Sequence, residues 1–131
     1  MAKIVDYYFC LNSPWVYLSH RRLVAICAAA GAEIRYKPVD LKEMMLRLIG
    51  DDDPPERSES HRKYGKAEMK RWSAFYDLPL SEKPRYYPVA QHRAARLTIA
   101  AGRLGADPGV LAFALPKAVW ADDRNINDPK T

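Results

Sequence analysis

The first 41 residues carry a strand, a helix start and a second strand, and this order constrains the fold more than any other feature. Residues 3–11 are rich in β-branched and aromatic side chains, which predicts a buried strand. Ser13 and Pro14 follow at once: serine caps a first helical turn, and proline suits the first helical position, where it has no N–H to lose. Residues 14–30 are therefore predicted as a helix and residues 32–41 as the next strand. Such a unit holds its two strands parallel in one sheet.

After residue 41 the pattern becomes helical. Asp51 to Pro55 predicts a loop, because two prolines follow three aspartates and cannot continue a helix. Pro116 predicts a kink or a break in the last helix. Trp72 and Trp120, at helical spacing, are predicted core residues. The predicted helices cover residues 42–49, 61–76, 90–104 and 108–121, with an extended proline-containing connector over 77–90.

Composition predicts one globular domain and excludes several functional classes. The chain has 131 residues, 48% of them hydrophobic, which is enough for a core. Its net charge of +5 is spread along the sequence with no long basic run, so nucleic-acid binding is not expected. No apolar stretch approaches the roughly 20 residues of a membrane span. The start of the chain has no signal-peptide pattern, so we expect a cytoplasmic protein without a membrane partner.

The cysteines and histidines do not form a metal-binding pattern. Cys10 and Cys27 lie in the first predicted strand and helix, and no C-x-x-C pair occurs. We interpret both as buried free thiols. His20, His61 and His92 share no ligand spacing, so no metal site is predicted; His20 is assigned to a helix face without a catalytic role.

Ser13 is the candidate site residue that the local pattern supports. A helix that starts at the end of a strand presents free N–H groups and a positive dipole end, which attract an anion. A hydroxyl at that point has the chemistry to hold a thiolate. The alternative is that Ser13 does no more than cap the helix.

Several segments together resemble one enzyme family over essentially the whole chain. The family is the 2-hydroxychromene-2-carboxylate isomerases, relatives of the kappa-class glutathione transferases and of the DsbA-like disulfide oxidoreductases. The matching segments, in family order and spacing, are residues 6–9 (DYYF), 12–18 (NSPWVYL), 35–41 (RYKPVDL), 70–72 (KRW), 78–80 (LPL), 87–89 (YPV), 94–97 (AARL), 118–120 (AVW) and 123–126 (DRNI).

The resemblance implies an α/β, thioredoxin-like fold with an inserted all-helical domain. Residues 1–41 would form the N-terminal β-α-β part of the thioredoxin-like domain, and residues 42–131 the helical insert. The family continues beyond the matched region with the strands that complete its sheet. We therefore expect the C-terminal strands of the thioredoxin fold to be missing from this chain.

The resemblance also implies the chemistry. Ser13 stands where redox relatives have the first cysteine, and members with serine use glutathione as the source of the sulfur nucleophile. Ser13 is thus the implied catalytic and glutathione-binding residue of an isomerase in aromatic degradation, which adds the thiolate reversibly to an aromatic carboxylate substrate. Asn12 and Tyr86 match substrate-contacting positions. Met45 replaces an expected lysine, which leaves the exact substrate open. Family members are commonly homodimers.

Two alternatives accompany this prediction. One is a kappa-like glutathione transferase, and the other is a truncated, non-catalytic helical interaction module. Trp15 and Tyr17 are equally compatible with packing and with lining a ligand site. Glutathione binding would separate the enzyme from the module.

Overall fold

The structure is a computed structural model that describes residues 2–50 and 56–131. The predicted loop from Asp51 to Pro55 lies outside the described residues. Within them the chain forms two strands and five helices, in the order β1 (Lys3–Phe9), α1 (Pro14–Ala29), β2 (Ala32–Pro38), α2 (Leu41–Ile49), α3 (Glu59–Tyr76), α4 (His92–Arg103) and α5 (Pro108–Trp120).

The first two strands are parallel neighbours, as the strand–helix–strand pattern predicted. Their register runs from Lys3 opposite Ala32 to Phe9 opposite Pro38. Between them α1 ends before Gly31, whose φ of 61° lies in the left-handed region that glycine adopts without a Cβ penalty. The carboxyl end of β1 and the start of α1 are thereby brought to one edge of the unit.

The core lies between this sheet and three helices, α1, α4 and α5. α5 packs along α1, and both α4 and α5 contact β2. Phe9, Tyr17 and Val119 are among the buried side chains at this junction. Burying side chains of this size stabilises a fold by about 1.5–3 kcal/mol each. The helical segment therefore packs directly on the β-α-β unit, and the division into residues 1–41 and 42–131 stays a prediction.

The last helix continues through its internal proline. α5 runs from Pro108 to Trp120 without a break, and Pro116 is fully buried within it. A proline in a helix interior removes one hydrogen bond, but the ring of Pro116 adds apolar surface to the core. The start of α5 is as the sequence indicates, because the Asp107 Oδ1 atom accepts a hydrogen bond from the Gly109 N–H at 2.7 Å.

The two tryptophans predicted as core residues differ in their solvent exposure. Trp120 is 3% exposed, which confirms the prediction. Trp72 is 38% exposed, so its assignment to the core was wrong. Its ring instead stacks on Tyr76, with centroids 5.5 Å apart, and lies edge-on to Phe75 on the same helix. An apolar spacing of three and four residues fits both a core face and a local aromatic cluster, so periodicity could not separate them.

Two kinds of feature are absent from the part of the chain that the structure describes. None of the described helices combines the length and the apolar composition needed to cross a membrane. No group of three or more His, Cys, Asp or Glu side chains in residues 2–50 and 56–131 is arranged to hold a metal ion.

Candidate functional site

The start of α1 positions the hydroxyl of Ser13 at the end of β1. Ser13 has extended backbone angles (φ −85°, ψ 129°), and its Oγ atom accepts a hydrogen bond from the Val16 N–H at 3.4 Å. The Ser13 N–H donates to the Cys10 carbonyl at 3.2 Å, which closes a tight turn out of the strand. Because the capping bond is long, the hydroxyl is only weakly engaged. It is half-buried and oriented at a helix N-terminus, where an anion is favoured.

Ser13 lines an open cleft of about 430 Å³ between the start of α1 and the first half of α3. Pro14 and Trp15 of α1 also line it, with Met69 on the α3 side and Trp120 at the end of α5. The hydroxyl is therefore within reach of a ligand and not enclosed in the packed interior. A cleft that combines apolar walls with convergent polar groups is the usual form of a small-molecule site.

The α3 side of this cleft is basic. Arg57, His61, Arg62 and Lys66 line it, and no Asp or Glu is among its described lining residues. Arg62 is engaged, because one of its guanidinium nitrogens lies 2.9 Å from a carboxylate oxygen of Glu56. The remaining positive charge faces the same space as the Ser13 hydroxyl. A cleft with charge of one sign concentrates ligands of the opposite sign.

Cys10 is a site residue that the sequence analysis did not identify. It is half-buried and lines the cleft beside Ser13, whereas the prediction made it a buried thiol. Burial raises the pKa of the Cys10 thiol, and a hydrogen bond with the Ser13 side chain partly opposes that shift. Cys27 is buried, as predicted. The signal that could have found Cys10 is its position directly after β1 and three residues before Ser13, within the turn that leads into α1.

Asn12 lies in the turn but is already engaged with the protein. Its side-chain amide donates to the Val89 carbonyl at 3.3 Å. The backbone carbonyl of Asn12 accepts a hydrogen bond from the Trp120 indole N–H at 2.9 Å. Next to it, the Leu11 N–H donates to the side-chain oxygen of Gln91 at 2.6 Å. These bonds fix the backbone that carries Ser13. The predicted substrate contact of Asn12 remains a prediction, and its side chain does line the cleft.

Tyr86 is not among the residues that line the cleft, whereas its neighbour Tyr87 is. The Tyr86 ring is partly exposed and has the Arg85 guanidinium 5.7 Å from its centroid. The Tyr87 ring packs against Trp120, with centroids 4.7 Å apart, and a cis peptide bond joins Tyr87 to Pro88. Two adjacent tyrosines carry the same sequence signal, so only the three-dimensional structure separates them. The role assigned to Tyr86 stays a prediction.

A second cavity of about 650 Å³ adjoins the cleft and shares Asn12, Leu41 and Tyr87 with it. Met45, the residue at the position of the expected lysine, lines this cavity. One polar feature on its wall is the contact between Asp40 and His92, with 3.3 Å between their side-chain O and N atoms. The turn at Asn12 thus borders both spaces.

His20 lies apart from this site, on the buried face of α1. It is 4% exposed and packs among the rings of Tyr7, Tyr36 and Phe113. Its Nδ1 atom is buried and has no hydrogen-bond partner among the described residues. Burial lowers the pKa of His20 and raises the pKa of Tyr36 to about 12. The sequence predicted His20 on a helix face. In the structure that face of α1 is buried against aromatic side chains.

Comparisons with known proteins agree with the fold and bear on the site. The family model described as "DSBA-like thioredoxin domain" matches residues 4–131. The chain is 31% identical over 122 residues to 2-hydroxychromene-2-carboxylate isomerase of Pseudomonas putida, and 33% identical over 82 residues to the protein of that name in Sphingobium xenophagum. The matched parts cover 91% and 62% of this chain.

A solved structure of 2-hydroxychromene-2-carboxylate isomerase superposes with a TM-score of 0.70 at 26% identity. That match covers 95% of this chain and 60% of the solved chain. The two curated matches cover 57% and 42% of those relatives. The chain therefore spans about half the length of the curated relatives it matches.

Proposed function

Because this chain belongs to the DSBA-like thioredoxin domain family, we propose that it forms the thiol-handling half of a glutathione-dependent isomerase. Its substrate would be 2-hydroxychromene-2-carboxylate or a related aromatic acid. The observation that carries the proposal is the Ser13 hydroxyl at the N-terminus of α1, open to a cleft whose facing wall is basic. The names of the relatives supply the reaction class.

The residues of the cleft fit an anionic thiol ligand. Ser13 supplies a hydrogen-bond donor, the helix N-terminus adds a positive dipole end, and Lys66 adds a full positive charge. Disulfide exchange is not supported at this position, because it needs a pair of cysteines and Ser13 stands in place of the first. The chemistry that glutathione supplies when bound is reversible addition of its thiolate to a conjugated carbon, which permits rotation before the thiol is eliminated.

The energy available at Ser13 matches what such a role requires. A free thiol has a pKa of about 8.5, and lowering it by two units takes about 2.7 kcal/mol of preferential stabilisation of the anion. A hydrogen bond to a charged group contributes about 1.5–3 kcal/mol, and a helix terminus about 0.3–2 kcal/mol. Ser13 therefore has no need to act as a covalent nucleophile. Its hydroxyl donates a hydrogen bond to the thiolate and stays protonated.

The other lining residues position the substrate and exclude water. Trp15, Met69 and Trp120 give the cleft apolar walls, against which a flat aromatic ring packs well. His61 and Lys66 lie on the α3 wall together with Met69 and attract the substrate carboxylate. This division of apolar and basic surface suits an aromatic acid better than a neutral substrate.

Replacement of the hydroxyl tests the proposal. In Ser13→Ala we expect the ultraviolet absorbance of bound glutathione thiolate to disappear at neutral pH, and isomerisation to slow by about 10- to 150-fold, the equivalent of one charge-assisted hydrogen bond. Ser13→Thr keeps the hydroxyl and the cap, so it should restore most of both signals. Ser19→Ala is the matched control, because Ser19 lies on the same helix, does not line the cleft, and donates its hydroxyl proton to the Trp15 carbonyl at 2.7 Å.

Three results would contradict the proposed function or favour one of its alternatives. Unchanged thiolate absorbance and turnover in Ser13→Ala would refute the role of Ser13. A stable thioether product in place of an isomer would favour a kappa-like transferase. Absence of glutathione binding to the unaltered chain would favour a non-catalytic module.

A further inference from the structure

Gly65 has no explanation in the packing of the protein. It lies in the interior of α3, where glycine is the poorest helix former after proline. A glycine is justified in a helix when its φ is positive or when another group approaches too closely for a Cβ atom. The positive-φ glycines are Gly31, Gly50 and Gly105, so the backbone of α3 does not require glycine at position 65.

Of the other two helical glycines, Gly109 is too close to a neighbouring group for a Cβ atom and Gly102 leaves room for ordinary contact only, whereas Gly65 has no neighbouring group at all among the described residues. A Cβ atom at Gly109 would lie 2.6 Å from the Tyr36 hydroxyl, and one at Gly102 would lie 3.6 Å from a Pro108 side-chain carbon. A Cβ atom at Gly65 would meet no atom within 4 Å in the part of the chain that the structure describes. The absence of a side chain at position 65 thus leaves open space.

That open space is part of the Ser13 cleft. Gly65 lines it together with His61 and Met69, which lie one helical turn before and after it on α3. The opposite wall carries Ser13 and the partly exposed indole of Trp15. Any longer side chain at position 65 would project into the cleft between these walls and narrow it.

Lys66 gives the same stretch of α3 a positive charge. It lines the cleft, and none of the ion pairs among residues 2–50 and 56–131 involves it. Its ammonium group is therefore available for an anionic ligand. The combination is a gap in the basic wall of the cleft with a cation beside it.

We propose that Gly65 determines the specificity of the site by making room for the aromatic ring of a carboxylate ligand, whose charge is met by Lys66. This inference rests on the proposed function, since it assigns a substrate class to the same cleft. It explains why a helix keeps a residue that weakens it. The ring would lie in the gap at Gly65, facing Trp15.

Two acids that differ in one ring test this assignment. Cinnamate and crotonate share an unsaturated carboxylate, and only cinnamate carries a phenyl group. Each acid is titrated into the protein with glutathione present. Binding is followed by the NMR signal of the backbone amide at position 65, in the unaltered chain and in the variant. In Gly65→Leu we expect the Kd for cinnamate to rise by about 10- to 100-fold, the loss from excluding one ring, and the Kd for crotonate to change by less than about twofold.

Control variants separate the steric effect from a structural one. Ala67→Leu adds a leucine to the exposed side of the same helix and should leave both affinities unchanged. Gly65→Leu should melt at the same temperature as the unaltered chain or higher, because leucine is the better helix former. Lys66→Met should weaken both acids equally.

The outcomes are distinct. If Gly65→Leu binds cinnamate as well as Ala67→Leu does, the assignment of Gly65 is overturned while the role of Ser13 is untouched. If the unaltered chain forms the glutathione thiolate but binds no cinnamate, the aromatic ligand is refuted and the thiol site stands. If it binds neither glutathione nor the acids, the proposed function fails together with this inference.

Discussion

The two walls of the Ser13 cleft are built differently. On one side, α1 and α5 each contribute six buried residues, and Trp120 at the end of α5 also bonds to the Asn12 carbonyl. On the other side, neither α2 nor α3 contributes a buried residue within the described parts of the chain. α3 instead carries exposed ion pairs, such as Lys63 with Glu59 at 2.7 Å.

This difference suits the two tasks of the site. A group that stabilises a developing charge must be held by its surroundings, because a small misplacement weakens the interaction. The Ser13 turn is held in that way by the core. The α3 wall, which contacts the variable part of a ligand, is packed weakly on the core. Substitutions there alter ligand binding with little cost to the stability of the fold. We expect substitutions on the α1 and α5 wall to reduce stability more than binding, and substitutions on the α3 wall to reduce binding more than stability.

The largest expected contrast is between the two tryptophans. Trp120→Ala should reduce the free energy of unfolding by about 3–5 kcal/mol, because it empties a buried site and removes the bond to Asn12. Trp72→Ala should cost about 1 kcal/mol, since it loses an exposed aromatic cluster and the exposed hydrogen bond that the indole N–H donates to Glu68 at 3.1 Å. Urea unfolding followed by circular dichroism measures both. Equal losses would show that α3 is packed as firmly as α5.

A smaller effect is expected from the residue that braces the turn. Gln91 accepts from the Leu11 N–H at 2.6 Å and donates to the Val39 carbonyl at 3.2 Å. Gln91→Ala leaves these buried groups unpaired and should cost about 1–3 kcal/mol. Thr98→Val is the control, because its hydroxyl bonds to the carbonyl of Ala94 within the same helix and braces no turn. Similar unfolding midpoints for both variants would contradict a bracing role for Gln91.

The smallest effect concerns pH. Burial lowers the pKa of His20 below its unfolded value of about 6.5, so the unfolded chain takes up a proton that the folded chain resists. The neighbouring Asp107 favours the proton but does not outweigh burial. The stability contribution of His20 is therefore fully present above about pH 6.5 and declines as the pH falls toward the folded pKa.

Thermal unfolding at about pH 7.5 and about pH 5.5 checks this expectation. His20→Leu should lose part of the difference between the two melting temperatures, because the titrating group is gone. His61→Leu, which replaces an exposed histidine, should keep the difference. A His20→Leu variant with the full difference would show that another group causes the pH dependence.

Much of the fold could be predicted from local signals. The strand before Ser13, the helix start at Pro14 and the stop at Gly31 each depend on residues within a few positions of one another, and all three are confirmed. The start of α5 at Pro108, capped by Asp107, is confirmed for the same reason. Caps and apolar periods act within one or two turns, so a sequence displays them directly. The predicted burial of the strand before Ser13 was wrong, because Phe9 is the only buried residue of β1.

The composition of the site was harder to predict. Tyr87 lines the cleft and Tyr86 does not, although the two residues are adjacent in an irregular connector without a period. Cys10 contacts the site because the turn after β1 brings it beside Ser13. Such placements depend on long-range packing, which no local pattern contains.

The amino-acid sequence alone was enough to specify the order of strands and helices, the family, and a hydroxyl at the start of α1. Capping, strand and turn preferences are short-range properties of the chain, and a sequence shows them directly. The three-dimensional packing was needed to establish that α3 faces that hydroxyl with positive charge and a gap at Gly65. Which helix face meets which neighbour is set by the burial of apolar surface between segments far apart in the sequence.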